Sequence, residues 1–182
     1  MRWILLFTIA LSTLWAQPSQ VVLIRNAEKP SEGNTLSLKG RQRAAALVPT
    51  FLGLPSLLEY GQPAAIFAAR ASEVDPSVRS QQTVIYLAEE MNLPVQNQFA
   101  YGQAATLVEE IKNSSDYEGK MVLVCWPHVE IPKLAMMLGA KQVPNKWPED
   151  VYDRFWILTF EENGSVTFKN LPQKLLLGDS NR

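Results

Sequence analysis

Three short stretches hold most of the side chains able to do chemistry: Arg25-Asn26-Ala27-Glu28, the arginines Arg70 and Arg79, and Trp126-Pro127-His128-Val129-Glu130. Arginine presents a planar fork of donors that suits a phosphate or a carboxylate. A helix starting near Arg79 adds backbone N–H groups and the positive end of its dipole. With the imidazole of His128, this is the chemistry of an anion site, most simply a phosphate site. Composition narrows the choice. His128 is the only histidine and Cys125 the only cysteine, which excludes a site built on two imidazoles, an intrachain disulfide framework and a Cys-rich zinc centre. No Gly-rich phosphate loop or dinucleotide fingerprint occurs and metal sites lack ligands, so no metal or other cofactor is expected. Lys+Arg total 17 against 18 Asp+Glu, a net charge of −1, so nothing argues for binding nucleic acid or coating an anionic membrane.

These stretches need elements to position them. Val21–Arg25 (VVLIR), Ala64–Ala69 (AAIFAA) and Lys120–Trp126 (KMVLVCW) read as buried strands, and each runs directly into one of the chemical segments. Val95–Gln98 reads as a further strand. Ser37 is a plausible N-cap for a helix over Leu38–Phe51, which Pro49 should kink or fray. Asp75-Pro76-Ser77 has the chemistry of a helix start, and Val78–Met91 carries apolar residues at helical spacing. Helices are also expected over Ala104–Lys112 and over Ile131–Leu138, the latter closed by Gly139. Arg154–Phe160 and Ser165–Asn170 flank Asn163-Gly164, a strong hairpin signal. This order predicts a three-layer α/β/α fold with a mainly parallel sheet and a C-terminal antiparallel hairpin. Ligands of such sheets sit beyond the carboxyl ends of the strands, where Arg25, Arg79 and His128 converge. Cys125 and the aromatic group Trp147, Tyr152, Phe155, Trp156 and Phe160 read as packing, and Lys39, Arg41 and Arg43 as a solvated helix face.

Residues 1–16 have a positive start, an apolar run from Trp3 to Leu14 and a small residue, Ala16, before Gln17-Pro18. The run is 12 residues, whereas a membrane-spanning helix needs roughly 20. This is the layout of a secretory signal peptide cut after Ala16, leaving one exported domain over 17–182, periplasmic or secreted, with no stable membrane insertion after cleavage. With 47% hydrophobic residues that domain has ample material for a core.

Four segments, in order, resemble the histidine phosphatase superfamily, whose fold is phosphoglycerate-mutase-like. VVLIRNAEKP is similar to its strand-Arg-His-Gly/Ala-Glu signature, and LSLKGRQRAAAL to the segment that follows it. Arg79-Ser80-Gln81-Gln82-Thr83 matches an Arg-x-x-Gln-Thr helix start, and VLVCWPHVEIPKLAMMLG resembles the strand-His-helix unit. The resemblance implies that Arg25 and Arg79 clamp the phosphoryl oxygens and that His128 hydrogen-bonds the phosphoryl group. It implies that Glu130 or Glu28 serves as proton donor to the leaving oxygen, and that the ligand is a small phosphorylated molecule or a phosphate-like anion.

At position 26 the chain departs from that pattern. The superfamily places its nucleophilic histidine there, and an amide nitrogen whose lone pair is shared with a carbonyl cannot replace it. Three readings of Asn26 stay open: a natural degenerate member that binds phosphate esters without turnover, a weak hydrolase in which Asn26 orients an attacking water, and an engineered variant of an active enzyme. The expectation is a phosphatase-type pocket with impaired or absent activity, the rival being an exported anion-binding or interaction protein.

Overall fold

The computed structural model describes residues 17–180, so the expected signal peptide lies outside the described residues. Three strands, β1 (Gln20–Arg25), β2 (Pro63–Ala68) and β4 (Met121–Trp126), are apolar almost throughout, as strands covered on both faces must be. With β3 (Val95–Gln96), β5 (Arg154–Phe160) and β6 (Val166–Pro172) they form one sheet in the order β3-β2-β4-β1-β5-β6. The first four run parallel, β5 pairs antiparallel with β1, and β6 antiparallel with β5.

Alternation along each strand decides the layers. Val21, Leu23, Val122 and Val124 point to the face covered by α3 (Ala104–Asn113) and α4 (Ile131–Met137), against Leu107, Ile111 and Leu134. Val22, Ile24, Leu123 and Cys125 point to the face covered by α1 (Leu38–Gly53) and α2 (Arg79–Glu90), against Leu47, Phe51, Val84 and Leu87. The result is the expected three-layer α/β/α arrangement with a C-terminal antiparallel hairpin. Gly164 supplies the left-handed turn at φ +78°, and Asn163 accepts from the Ser165 amide.

Several boundaries differ from the sequence reading. β3 stops at Gln96, and β6 extends to Pro172, which pairs with Arg154. Helix α1 continues past Pro49 to Gly53, because Leu47 and Phe51 are both fully buried and hold the turns on either side of the proline. The basic face of α1 needs a larger correction. Arg43 is 2% exposed, because Gly40, Arg43, Ala44 and Leu47 follow the helical repeat on the inward face.

The register aligns the strand ends. Arg25 pairs with Trp126 and Ala68 with Cys125, so β1, β4 and β2 finish side by side and their following loops form one rim.

Candidate functional site

A cavity of about 320 Å³ opens at that rim. Asn26 reaches it from the end of β1, and Pro127, His128 and Val129 from the end of β4. The loop before α2 contributes Val74, Asp75 and Ser77, α2 itself Arg79 and Ser80, and the loop before α3 contributes Tyr101. The segments that the sequence brings together through strand order thus meet in space, with Arg79, His128 and Asn26 all lining the cavity.

Local hydrogen bonds fix these positions. Ser37 caps α1 by accepting from the Gly40 amide at 3.1 Å, and the Ser37 amide donates to the Glu28 carbonyl at 2.9 Å, tying the β1–α1 loop to the helix. Gly40 is required there, because a Cβ would run into the Glu28 carbonyl oxygen. The Ala27 amide donates to Thr83 Oγ1 at 2.9 Å, which joins the chain after Asn26 to α2. Asp75 Oδ1 accepts from the Ser77 amide, and Ser77 Oγ accepts from the Arg79 amide at 3.3 Å, so the carboxylate is held just ahead of α2.

Arg25 is 3% exposed and stands behind His128. Its Nη1 donates to the carbonyls of Pro148, Glu149 and Val151 at 3.2, 2.7 and 3.1 Å, and its guanidinium lies 3.9 Å from the centre of the Tyr152 ring. Nη2 lies 3.4 Å from His128 Nδ1. A guanidinium can only donate, so Nδ1 accepts and the ring proton sits on Nε2. Burial and then the Arg25 charge push the His128 pKa down to about 4, leaving a neutral imidazole at pH 7 whose Nε2–H is a donor.

Arg79 Nη1 donates to the Gly33 carbonyl at 3.0 Å. The Nε atoms of Arg25 and Arg79 are both buried and have no hydrogen-bond partner; the other such side-chain atom among the described residues is Gln20 Oε1. Asn26 is 9% exposed, and its Nδ2 donates to the Ala27 carbonyl at 2.9 Å.

The two glutamates expected to donate a proton do not line the cavity. Glu28 turns the other way, where both carboxylate oxygens accept from Arg43 Nε and Oε1 also meets Nη2 at 2.7 Å. Glu130 Oε2 accepts from the Trp126 indole at 2.9 Å, and the carboxylate accepts from the Gly102 amide at 3.1 Å. The Arg43 guanidinium holds Glu28, and the Trp126 indole and Gly102 amide hold Glu130, away from the cavity. The acid in the cavity is Asp75, which the sequence marks only as helix-start chemistry. Cys125 is fully buried, and burial pushes its thiol up to about 12, consistent with a packing role. Trp147 and Trp156 stack at 4.8 Å inside the core, away from the cavity. Among the described residues no cluster of His, Cys, Asp and Glu could hold a metal ion. None of their helices is long and apolar enough to cross a membrane.

No protein-family model and no curated protein matches the sequence. Solved structures do match in fold. The protein histidine phosphatase SixA, solved in complex with tungstate, is 17% identical with a TM-score of 0.60, covering 85% of this chain and 97% of that one. A phosphoglycerate mutase from Plasmodium falciparum is 13% identical with a TM-score of 0.49, covering 87% of this chain and 92% of that one. On the SixA match, the chain has the fold of that histidine phosphatase.

Proposed function

We propose that this chain, built on the histidine phosphatase fold, is an exported protein that binds a phosphate ester at the β1–β4 rim and turns it over poorly or not at all. The observation that carries this reading is the pair of buried, unpartnered Nε donors on Arg25 and Arg79, in and beside a cavity that also holds His128. A buried guanidinium N–H left unpaired costs about 1–3 kcal/mol, more than a fold retains without a use for it. A phosphoryl group at this rim gives Arg79 an anionic partner and accepts from the Nε2–H of His128. Arg25 acts from behind, setting the His128 tautomer and adding its charge. The similar fold of SixA is solved with tungstate, an oxyanion of comparable shape, which agrees with this reading.

Asn26 is the reason turnover is poor. One N–H of the amide donates to the Ala27 carbonyl, and its nitrogen has no basic lone pair with which to attack phosphorus. Loss of a nucleophile that acts as a unit with its partners lowers turnover by up to about 10⁶-fold. Asp75 favours a second reading. A carboxylate in the same cavity can accept a proton from water, which would support slow direct hydrolysis with Asn26 orienting that water.

Two measurements test the proposal. Calorimetry should show inorganic phosphate binding to the chain as it stands, while a generic phosphomonoester is hydrolysed at the limit of detection. Asn26→His should then raise turnover by at least about 10³-fold, within the range expected for a restored nucleophile. Absence of phosphate binding overturns the pocket. Brisk hydrolysis that survives both Arg79→Ala and His128→Ala overturns the role given to these residues. Export is tested separately, by N-terminal sequencing of the secreted or periplasmic product for a start at Gln17.

A further inference from the structure

The lining of the cavity divides by exposure. Its polar groups Arg79, His128 and Asn26 are buried or half-buried. Its mouth carries Val74 at 80% exposure, Val129 at 59% and Tyr101 at 38%. Single exposed apolar side chains are ordinary, but three around one opening need a reason, because each leaves apolar surface in water that a ligand could cover. Most of the other large exposed apolar residues, such as Leu38 and Met136, do not line this cavity.

Charge argues in the same direction. Arg79 is the cationic side chain of the lining, and Asp75 sets a negative charge nearby. A second phosphate on the ligand would meet no second guanidinium or ammonium and would face that carboxylate. Polyhydroxylated leaving groups need several oriented donors and acceptors at the mouth, where the two valines supply none and Tyr101 a single hydroxyl. Ser77 Oγ already accepts from the Arg79 amide. A cavity of about 320 Å³ stands at the lower limit of small-ligand sites, which run from roughly 300 Å³ upward.

Resting on the phosphate-ester reading above, we propose that the ligand is a monophosphate ester of a single-ring, apolar or aromatic alcohol, its phosphoryl group at Arg79 and His128 and its ring against Val74, Tyr101 and Val129. The ring can lie against the Tyr101 side chain in an offset or edge-on contact, while the valines cover its other edges.

Binding of three probes to the unmodified chain tests this without requiring turnover: inorganic phosphate, glycerol phosphate and phenyl phosphate. Phenyl phosphate should bind at least about tenfold tighter than glycerol phosphate, since covering one ring removes enough apolar surface for that ratio. The double variant Val74→Ser/Val129→Ser should reduce the ratio to about twofold by removing that cover. Both positions are exposed, so the fold should tolerate the change. Leu38→Ser, an exposed apolar residue outside the cavity, should leave the ratio intact. Equal affinities for the two esters, or a ratio that survives the double variant, overturn the inference while leaving the phosphate site standing. Failure of inorganic phosphate to bind overturns both. A phosphotyrosine tripeptide distinguishes the source of the ring. Affinity above that of phenyl phosphate assigns it to a peptide side chain and weaker affinity to a free small molecule, and either result upholds the aryl preference.

Discussion

Arg25 Nη2 lies 3.4 Å from His128 Nδ1, and this contact sets the tautomer of the chain's only histidine. Burial already disfavours an imidazolium, and the neighbouring guanidinium disfavours it further, so the pKa falls to about 4. The same contact forces the proton onto Nε2. A neutral ring with a fixed tautomer can donate to a phosphoryl oxygen at pH 7 without first losing a proton of its own.

A single histidine makes this directly measurable, because proton NMR shows one imidazole to follow. Its resonance should titrate near pH 4 in the free protein and at higher pH when phosphate is added, since an anion favours the charged ring. The sign for stability follows from linkage. The unfolded ring titrates near 6.5, so between pH 6.5 and 4 the unfolded state binds more protons and stability falls as pH is lowered. Above pH 6.5 the contribution is complete. Urea melts at pH 4.5 and 7 should differ less in His128→Gln than in the parent. An imidazole titrating at 6.5 or above would overturn the contact.

Arg25→Met separates the two duties of that arginine. Its Nη1 serves the carbonyls of Pro148, Glu149 and Val151, and leaving such acceptors unpaired should cost about 1–3 kcal/mol in a urea melt. The His128 pKa should at the same time rise from about 4 toward its ordinary value, because one of its three depressing causes, burial, Arg25 and Lys29, is gone. Stability loss without a change in the histidine titration would show that the Arg25 charge does not depress the ring.

The strand ends were legible in the sequence, and with them the meeting of Asn26, Arg79 and His128, because apolar runs followed by polar residues mark the carboxyl edge of a parallel sheet. The partners of Arg25 were not. They lie 123 to 126 positions away in a loop without a pattern of its own, and only packing brings them near. Arg43 was misplaced for a related reason. Three basic residues within five positions look like a solvated face, yet only the helical phase set by Gly40 shows which one turns inward. Glu28 and Glu130 looked equally free for acid chemistry, and donors on neighbouring elements claim both. Asp75 carried no signal beyond that of a helix start.

Gly40→Ala sets two effects against each other. Alanine favours the helix by roughly 1 kcal/mol over glycine in an interior position. Its Cβ, however, would run into the Glu28 carbonyl oxygen, a backbone atom fixed by the Ser37 amide. Overpacking of that kind costs about 1–3 kcal/mol, so the net change should be destabilising. Thermal melts that show a gain would mean that the β1–α1 loop yields easily.

Arg43→Met tests the ion cluster under that loop. Arg43 Nη2 meets Glu28 and Asp179 at 2.7 Å each, with Gln173 on Nη1 at 3.1 Å. Removing the cation leaves Glu28 with only Lys39 at 3.7 Å and Asp179 with only the Leu175 and Leu176 amides, which should cost up to about 3–5 kcal/mol. Burial alone would raise the Asp179 carboxyl, but Arg43 and the amides of Leu176 and Leu175 outweigh it and hold it at about 2. Its stabilising contribution is therefore complete above pH 3.8 and is lost as pH falls through 2. Acid unfolding should begin at higher pH in Arg43→Met than in the parent. Coincident acid transitions would show that the cluster contributes nothing.

Arg79→Ala should separate binding from folding. Unlike Arg25, this side chain holds the protein by one exposed bond, from Nη1 to the Gly33 carbonyl, and its removal also relieves the buried, unpartnered Nε, so the variant should be no less stable than the parent. A charged donor to an anion is worth about 1.5–3 kcal/mol, so affinity for inorganic phosphate should fall roughly 10- to 150-fold. Calorimetry on the folded variant reads both quantities. Unchanged phosphate affinity in a protein of unchanged stability would move the anion away from α2 and remove Arg79 from the site.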